Sequence, residues 1–432
     1  MSATSRSRRP VARHGQLRRP TALSQLLKIV GVAMAVVLVS GFGVAAYVLY
    51  DLQSTLSSNA VALDGQESVP PDIGELKGGI NMLVVGTDAC EESFSGLFGL
   101  RCEEDDGGER NDVNMLLHIS DNPRRVTVIT LPRDLMVPVP ECTDPEGNTT
   151  SAMWKQPLNS TFETGGLNCV VKTVSELTGL DIPFAAKVTW GGVIEITNAI
   201  GGVDVCIANG LTDEYTNLNL PPGINTLQGY EALQFLRTRY GVGDGSDLGR
   251  ISNQQVYMSS LARKLVSDEV LSNPATLLKL AHTALANVTP SESLTNPMLL
   301  VQIALAVKNV PFEDINFVQY PVYTDPDDPN KVVPDEETAD TLMAALEANE
   351  QIVVTGTNDG VVNADGTTGE APPTEGTGEI PPTDGDTTPG DGEEIGETAP
   401  PTTPGVVTLP QGVVGQSAAD QTCSNGVGYA GE

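Results

Sequence analysis

Short apolar runs alternate with amphipathic stretches through the middle of the chain. Runs rich in Val, Ile and Leu occupy 80–85, 113–119 and 126–131, with few polar residues inside them. Near-continuous apolar strands of this kind are typical of a sheet that is buried on both faces. Helical patterns lie between and after these runs, and a last helix is predicted over 335–348. The pattern therefore predicts an α/β fold in which helices flank a mixed central β-sheet.

Two of the predicted helices have recognisable ends. Residues 170–177 follow a helical pattern, and Gly179 is the expected C-cap. Ser252 is the expected N-cap of a helix that carries Met258 and Leu261 on one stripe. Further helical patterns cover 275–286 and 297–307, and a strand is predicted over 315–318.

One apolar segment, 29–50, differs from the others because it is uncharged for 22 residues. About 20 such residues cross a bilayer, whereas the apolar region of a signal peptide has about 7–15. Seven basic residues and no acidic residue lie within 1–28. We therefore predict a cytoplasmic basic head (1–28), a single transmembrane helix (29–50) and an extracytoplasmic remainder at the cell membrane. A cleaved signal peptide or a buried core helix is the alternative.

Composition divides the predicted extracytoplasmic part into three segments. Residues 51–78 are polar and end with a Pro-Pro pair and a Gly-Gly pair, as expected for a stalk. Residues 79–350 carry the strand and helix patterns, and they are numerous enough for one domain with a full core. Residues 351–432 are acidic and rich in Pro, Thr and Gly, which predicts a disordered tail.

The charge balance argues against one class of partner. The chain has 24 Lys and Arg residues against 56 Asp and Glu residues, a net charge of −32. Extended nucleic-acid binding needs clustered cations, so no nucleic-acid partner is expected. Only three histidines are present, and neither a zinc site built on several histidines nor a Ser-His-Asp triad is expected.

The six cysteines all follow the apolar segment, and none of them forms a C-x-x-C pair. An exported domain is expected to join its cysteines in disulfides, and six cysteines allow several connectivities. Cys90 and Cys102 share one acidic loop and are the first candidate pair, while Cys142 and Cys169 are the second. Cys423 lies in the predicted tail and has no evident role.

Charged residues flank three of the predicted strands. Asp88 follows the first strand, Arg110 and Asp112 precede the second, and Arg133 follows the third. Polar residues at the strand ends of an α/β sheet commonly line a ligand crevice. Each of them, taken alone, is also what a turn or a local ion pair contains.

A second charged cluster lies downstream. Arg237 and Arg239 are two residues apart, which on an extended backbone places both guanidiniums on one face. Asp247, Arg250 and Gln254 follow a glycine-rich loop. Guanidinium forks suit phosphate oxygens and carboxylates suit Mg²⁺, so the two clusters indicate phosphoryl transfer without histidine. A solvated ion-pair network is the alternative.

The order and spacing of these motifs, over roughly 79–350, resemble the LytR–CpsA–Psr (LCP) phosphotransferases of bacterial cell walls. The resemblance rests on segments that include 81–88, 110–112, 129–134 and 247–255. It implies a Mg²⁺-dependent transferase that takes a glycopolymer from a polyprenyl-pyrophosphate carrier. The glycopolymer would pass, with one phosphate, to a hydroxyl of peptidoglycan, while the polyprenyl chain would lie in the apolar core behind the site.

The resemblance also implies roles for individual residues. Asp88 and Asp112 would hold Mg²⁺ on the pyrophosphate, and Asp247 would deprotonate the acceptor hydroxyl. Arg133 would act as a catalytic residue that binds the pyrophosphate oxygens. The remaining pyrophosphate ligands would be Arg110, Arg237, Arg239, Arg250 and Gln254.

The sequence departs from the family pattern at several positions. Pro157 stands two residues before Asn159, where the family usually has Lys, and Asn253 stands where an Arg is common. Two alternatives therefore stay open: a polyprenyl-pyrophosphate hydrolase, and a catalytically weak wall-binding or regulatory protein of the LCP type. The acidic tail and the additional cysteines resemble those of actinobacterial members.

Overall fold

A computed structural model describes most of the region after residue 78. The described residues are 50, 60–63, 79–98, 102, 108–144, 146–266, 283, 287–295, 299, 302–303, 306–356, 360–364, 405–410 and 412–427. The predicted head, the predicted transmembrane helix other than Tyr50 and most of the predicted stalk lie outside them. The predicted helices 275–286 and 297–307 also lie largely outside them. Among the described residues, no helix combines the length and the apolar character that a membrane span needs.

Strands and helices alternate along the described residues. The strands are β1 (Ile80–Thr87), β2 (Asn111–Ile119), β3 (Val126–Leu131), β4 (Met136–Val139), β5 (Cys142–Thr143), β6 (Thr149–Thr150), β7 (Met153–Pro157), β8 (Phe184–Val188), β9 (Val203–Ile207), β10 (Leu211–Asp213), β11 (Leu218–Leu220), β12 (Gly223–Leu227), β13 (Val288–Pro290), β14 (Ile315–Gln319), β15 (Val322–Thr324), β16 (Val332–Pro334), β17 (Gln351–Val353), β18 (Val361–Asn363), β19 (Val406–Thr408), β20 (Gly415–Ser417) and β21 (Thr422–Ser424). The α-helices are α1 (Ser95–Phe98), α2 (Thr161–Thr178), α3 (Trp190–Ile200), α4 (Gly229–Arg237), α5 (Asp247–Val266) and α6 (Glu336–Glu347).

The central sheet is mixed, as the sequence predicts. Its seven strands lie in the order β13-β8-β1-β2-β3-β14-β20. β1 pairs antiparallel with β2 and parallel with β8, and β3 pairs antiparallel with β2 and parallel with β14. All six residues of β3 are buried, which explains its unbroken apolar character.

Both faces of this sheet are covered. Leu83 and Val85 of β1 pack on one face with apolar residues of α2 and α6. Ile80 lies on the opposite face, where Met82 and Met258 of α5 also pack. Successive residues of a strand point to opposite faces, so β1 needs apolar residues on both sides. The α/β prediction is confirmed.

A second sheet of four strands, in the order β12-β9-β21-β18, has its own core. Val205 and Ile207 of β9 pack there against Phe235 of α4 and Val256 of α5. Helix α5 therefore contributes to two cores, because Met258 on the same helix packs against the central sheet.

The predicted disordered tail is wrong for the parts of 351–432 that the structure describes. β20 pairs with β14 at the edge of the central sheet, and β21 joins the second sheet. The average composition of this region hides short apolar runs such as 406–408, which forms β19 and pairs with β17. Residues 365–404, which carry most of the Pro, Thr and Gly, lie outside the described residues.

Residues 60–63 of the predicted stalk also belong to the folded part. The Val61 N–H donates to the Pro290 carbonyl over 2.8 Å, and the Glu292 N–H donates to the Val61 carbonyl over 2.8 Å. These bonds attach the segment beside β13, so the domain begins before residue 79.

The structure contains three disulfides. Cys90–Cys102 and Cys142–Cys169 confirm the two candidate pairs. The third joins Cys206 in β9 to Cys423 in β21. The sequence did not predict this pair, because Cys423 was assigned to a tail without structure.

The start of α5 differs from the prediction. The helix begins at Asp247, and Ser252 is fully buried inside it. The cap is Ser246, whose hydroxyl accepts a hydrogen bond from the Gly249 N–H over 3.2 Å. The earlier start places Asp247, Arg250 and Gln254 at helical spacing on one face of α5.

Candidate active site

The three charged segments of the sequence meet at one edge of the central sheet. In the register of the sheet, Thr87 lies opposite Asn111, and Asn114 lies opposite Leu131. Because β2 runs against both neighbours, the end of β1, the start of β2 and the end of β3 are adjacent. The sheet therefore brings Asp88, Asp112 and Arg133 to a common edge, as the sequence predicts.

Gly86 allows β1 and β2 to come this close. A Cβ at Gly86 would lie 2.9 Å from the Cβ of Val113, which is shorter than ordinary side-chain contacts. Beyond it, the Arg110 N–H donates to Asp88 Oδ1 over 2.8 Å, and the Asp88 N–H donates to the Arg110 carbonyl over 3.2 Å. Asp88 is thus buried and held by the backbone of the neighbouring segment.

Arg133 is the centre of an ion-pair network. Its Nη1 lies 3.1 Å from Asp112 Oδ1, and its Nε lies 3.3 Å from Asp247 Oδ1 and 3.5 Å from Asp134 Oδ2. Burial would lower the pKa of Arg133, but the surrounding carboxylates of Asp112, Asp247 and Asp134 raise it above its ordinary value. The side chain is therefore a permanent cation fixed from three sides.

Arg250 joins the network from α5. Its Nη2 lies 2.8 Å from Asp247 Oδ1 and donates to the Asp112 carbonyl over 3.1 Å. Burial lowers the pKa of Arg250, and the nearby Arg133 adds to that effect, while Asp247 opposes it. Arg133 and Arg250 both contact Asp247 Oδ1, so two guanidiniums lie close together around one carboxylate.

The remaining predicted arginines, Arg237, Arg239 and Arg110, lie in the same region as Arg133 and Arg250. The Arg237 guanidinium lies 3.8 Å from the centre of the Trp190 ring, a cation–π contact at the start of α3. Arg239 donates through Nε to the Gly245 carbonyl over 2.8 Å. Arg110 is on the rim, where its side chain is 60% exposed and lies 3.7 Å from Glu163.

Two adjoining cavities open onto the network. One, of about 390 Å³, is mainly apolar, and the other, of about 480 Å³, is polar. The walls shared by both contain Asp112, Arg133, Trp190 and Arg237. The apolar cavity also contains Arg239, Arg250 and Gln254, with Val84, Val113, Met115, Val188, Val193, Leu233, Leu236 and Met258. The polar cavity also contains Asp88, Arg110, Asp134, Pro157, Asn159, Ser160 and Lys331.

Asp247 is the one predicted site residue outside the walls of these two cavities. Both its carboxylate oxygens are buried, and the carboxylate lies between Arg133 and Arg250. This position suits a group that orients two guanidiniums. It does not suit a base that must reach an acceptor hydroxyl.

Sequence reasoning did not assign Trp190, Asp134 and Lys331 to the site. The Trp190 ring stacks against the Arg237 guanidinium. The Lys331 Nζ lies 2.5 Å from Asp134 Oδ1 in the polar cavity. Lys331 lies far along the chain from the recognised motifs. Its one signal was that no Lys or Arg follows it in the sequence.

The structure places two of the residues that depart from the family pattern. Pro157 lines the polar cavity, whereas Lys155 points to an acidic loop, 2.8 Å from Asp325 and 3.0 Å from Asp327. Asn253 is fully buried in α5 and is absent from both cavity walls, and its Nδ2 donates to the Phe235 carbonyl over 2.9 Å. Asn253 is therefore a packing residue here, and Lys331 is the lysine in the wall of the polar cavity.

The carboxylates suit a metal that arrives with a phosphate ligand. Asp88 and Asp112 both line the polar cavity, and Mg²⁺ commonly uses one or two carboxylates together with water and phosphate oxygens. No group of three or more His, Cys, Asp or Glu residues placed to bind a metal occurs in the described part of the chain. Asp88 and Asp112 are therefore the residues that fit a Mg²⁺ ion bound together with a phosphate ligand.

A mixed sheet that carries paired carboxylates and guanidiniums at one edge defines an α/β protein with a candidate anion site. The model of the LytR_cpsA_psr family matches residues 46–348. The chain belongs to this family.

Two curated relatives illustrate the match. Cell wall biosynthesis protein LcpA of Corynebacterium glutamicum is 27% identical over 312 residues, which are 67% of this chain and 58% of that protein. The polyisoprenyl-teichoic acid–peptidoglycan teichoic acid transferase TagV of Bacillus subtilis is 24% identical over 247 residues, 56% of this chain and 60% of that protein. The chain spans about three fifths of the length of these relatives.

Solved structures of similar proteins include a LytR-Csp2A-Psr enzyme from Actinomyces oris. It has a TM-score of 0.48 and 24% identity, with 66% of this chain and 94% of that chain covered. The crystal structure of B. subtilis TagV has a TM-score of 0.49 and 20% identity, with 63% of this chain and 97% of that chain covered.

Proposed function

We propose that this protein is a membrane-anchored, extracytoplasmic phosphotransferase that attaches a glycopolymer to peptidoglycan. The substrate would be a glycopolymer on a polyprenyl-pyrophosphate carrier, and the product a phosphodiester with a peptidoglycan hydroxyl. Family membership and the printed name of the TagV relative support this class of reaction.

The junction of the two cavities carries the proposal. An amphiphilic pyrophosphate has a hydrocarbon chain on one side of its phosphates and a glycan on the other. A pyrophosphate beside Arg133 would extend its chain into the apolar cavity and its glycan into the polar cavity. A water-soluble phosphate ester would leave the apolar cavity unfilled.

The arginines would stabilise the charge of the reaction. The acceptor hydroxyl would attack the phosphorus next to the glycan, and the bond from that phosphorus to the bridging oxygen would break, releasing polyprenyl phosphate. The proton that the hydroxyl loses would pass to the leaving phosphate. Arg133 and Arg250 would stabilise the charge that develops on the leaving phosphate. We assign to Asp247 the orientation of these two guanidiniums, since its oxygens are buried between them.

Asp88 and Asp112 are the residues that would hold Mg²⁺. The bound ion would neutralise part of the pyrophosphate charge. Asp112 Oδ1 lies 3.1 Å from Arg133 Nη1, so a residue that would hold the metal also contacts the central arginine.

The membrane position belongs to the same proposal. The uncharged segment 29–50 follows a basic head, which supports an anchor with a cytoplasmic N-terminus. The three disulfides support an oxidising compartment for the domain. A lipid-linked substrate would then lie in the membrane that anchors the enzyme.

The test is a turnover assay of the purified protein with Mg²⁺ and a polyprenyl-pyrophosphate glycan. We expect release of polyprenyl phosphate, and we expect Arg133→Ala and Asp88→Ala to lower it by a factor on the order of 10² or more. Arg124→Ala is the matched control, since Arg124 pairs with Asp121 away from both cavities. Equal turnover in all four proteins would refute the assignment.

Product analysis separates transfer from hydrolysis. With peptidoglycan present, mass spectrometry should find the glycan joined to a muropeptide through a phosphodiester. A free glycan phosphate as the only product would show a hydrolase. Tight lipid binding without Mg²⁺-dependent turnover would show a wall-binding or regulatory protein.

A further inference from the structure

The C-terminal segment 422–427, which we call the C-terminal strand segment, lies against the backbone that carries the site. It consists of β21 and the three residues that follow. The family match ends at residue 348, so the match does not include this segment.

Backbone hydrogen bonds join the C-terminal strand segment to the loop after Arg239 on one side and to β10 on the other. The Val427 N–H donates to the Gly241 carbonyl over 2.9 Å, and the Gly243 N–H donates to the Asn425 carbonyl over 3.4 Å. On the other side, the Thr212 N–H donates to the Val427 carbonyl over 3.3 Å. The loop between Arg239 and Asp247 is therefore hydrogen-bonded to the C-terminal strand segment.

The packing at this point leaves no free space. A Cβ at Gly426 would lie 2.1 Å from the Gly210 carbonyl oxygen, and a Cβ at Gly241 would lie 2.8 Å from the Thr212 carbonyl oxygen. Three backbone segments are thus in direct contact, and a shift of the C-terminal strand segment must move the other two.

Asp213 transmits this contact to Arg239. Asp213 is 2% exposed, and its Oδ2 accepts hydrogen bonds from the Arg239 N–H over 3.0 Å and the Tyr240 N–H over 3.1 Å. Burial would raise the pKa of Asp213, but hydrogen bonds from the Thr238 hydroxyl and the backbone lower it. The carboxylate therefore stays charged and fixes the backbone of Arg239 relative to β10.

A second contact connects the segment to α5. The Ser424 hydroxyl donates to Asn253 Oδ1 over 2.6 Å. Asn253 is next to Gln254, and the cavity face of the same helix carries Arg250. Arg263, further along α5, donates through Nη1 to the Ala418 carbonyl over 3.0 Å. The C-terminal region thus contacts α5 at two positions, Asn253 and Arg263.

We propose that the C-terminal strand segment is a positioning element of the anion site. It fixes Arg239 through the 241–243 loop and β10, and it fixes the Asp247–Arg250 end of α5 through Ser424. The nature of the anion rests on the proposed function, whereas the positioning of these side chains is an independent statement about the fold.

Val427→Pro tests this proposal with little disturbance of the core. Proline lacks the N–H that bonds to Gly241, and the Val427 side chain is 41% exposed. Val427→Ala is the matched control, because it shortens the same side chain and keeps the N–H. The measurements are Kd for inorganic pyrophosphate with Mg²⁺, kcat and KM for the lipid substrate, and amide exchange resolved along the chain.

In Val427→Pro we expect faster exchange over 239–250, pyrophosphate binding weaker by about tenfold and a lower kcat, with exchange in β1–β3 unchanged. Val427→Ala should match the unaltered protein. The proposal fails if the two variants bind pyrophosphate equally and exchange equally over 239–250. It also fails if exchange rises evenly over the whole domain, because that would show a general loss of stability.

A failure of the proposed function would give a different result from a failure of the positioning role. If the unaltered protein neither bound pyrophosphate nor turned over the lipid, the reaction assignment would be wrong. Amide exchange over 239–250 would still compare the two variants, and that comparison would decide the positioning role.

Discussion

At the residue scale, the site depends on how each guanidinium is held. Arg133 is held by three carboxylates and Arg237 by an aromatic ring, while Arg110 is largely exposed on the rim. Buried cations that are fixed before a ligand arrives need little reorganisation when charge develops. We therefore expect the buried arginines to contribute most to catalysis and Arg110 to contribute mainly to attraction of the ligand.

Lys331 provides a prediction at the same scale. Its Nζ pairs with Asp134, a carboxylate that also lies near Arg133 Nε. Lys331→Met removes one cation from the polar cavity and leaves Asp134 to attract Arg133 more strongly. We expect pyrophosphate binding with Mg²⁺ to weaken by about tenfold, as for a lost charge-assisted hydrogen bond.

The control for this variant is Lys155→Met. Lys155 makes ion pairs with Asp325 and Asp327 and does not line the described cavities. Calorimetric titration of both variants gives the comparison. An unchanged Kd in Lys331→Met would remove Lys331 from the site.

At the element scale, the sequence predicts the position of a strand better than it predicts pairing with a strand that is distant in the sequence. The runs that form β1, β2 and β3 are recognisable because each strand is buried on both faces. The start of α5 was misplaced because Ser246 and Ser252 are both plausible caps, and only packing distinguishes them. β20 and β21 were missed because short strands with mixed composition depend on partners that lie far away in the sequence.

Gly86 gives a prediction about how two elements meet. In Gly86→Ala the new methyl group would lie 2.9 Å from Val113 Cβ, so the end of β1 must shift away from β2. We expect the free energy of unfolding to fall by about 1–3 kcal/mol, as for overpacking of a tight core. Because Asp88 lies only two residues after Gly86, pyrophosphate binding should weaken as well.

Gly96→Ala is the control, since a Cβ at Gly96 meets no atom within 4 Å. Urea unfolding and calorimetric titration of both variants measure the two effects. A Gly86→Ala protein with normal stability and normal binding would show that the strands can separate without cost to the site.

At the scale of the whole molecule, the sequence predicts which charged residues lie together better than it predicts the boundaries of the domain. The motif residues could be identified because their chemistry and spacing are local: Arg110 and Asp112 are adjacent to one strand, and Arg133 to another. The boundaries could not, since residues 60–63 and 412–427 look polar or irregular and become ordered only by pairing with the sheet edges. Asp247 was recognised as a site residue, but its burial between two arginines is a tertiary property.

The Cys206–Cys423 disulfide gives a way to measure how much the C-terminal region contributes to the stability of the domain. It joins residues 217 apart in the sequence, whereas Cys90 and Cys102 are 12 apart. A cross-link restricts the unfolded chain more when it closes a longer loop, so removal of the long-range disulfide should cost more stability, within a range of about 2–5 kcal/mol. We expect Cys206→Ser/Cys423→Ser to unfold at lower urea concentration than Cys90→Ser/Cys102→Ser. The opposite order would mean that β20 and β21 are held by their strand pairing alone and that the C-terminal region does not need its covalent link.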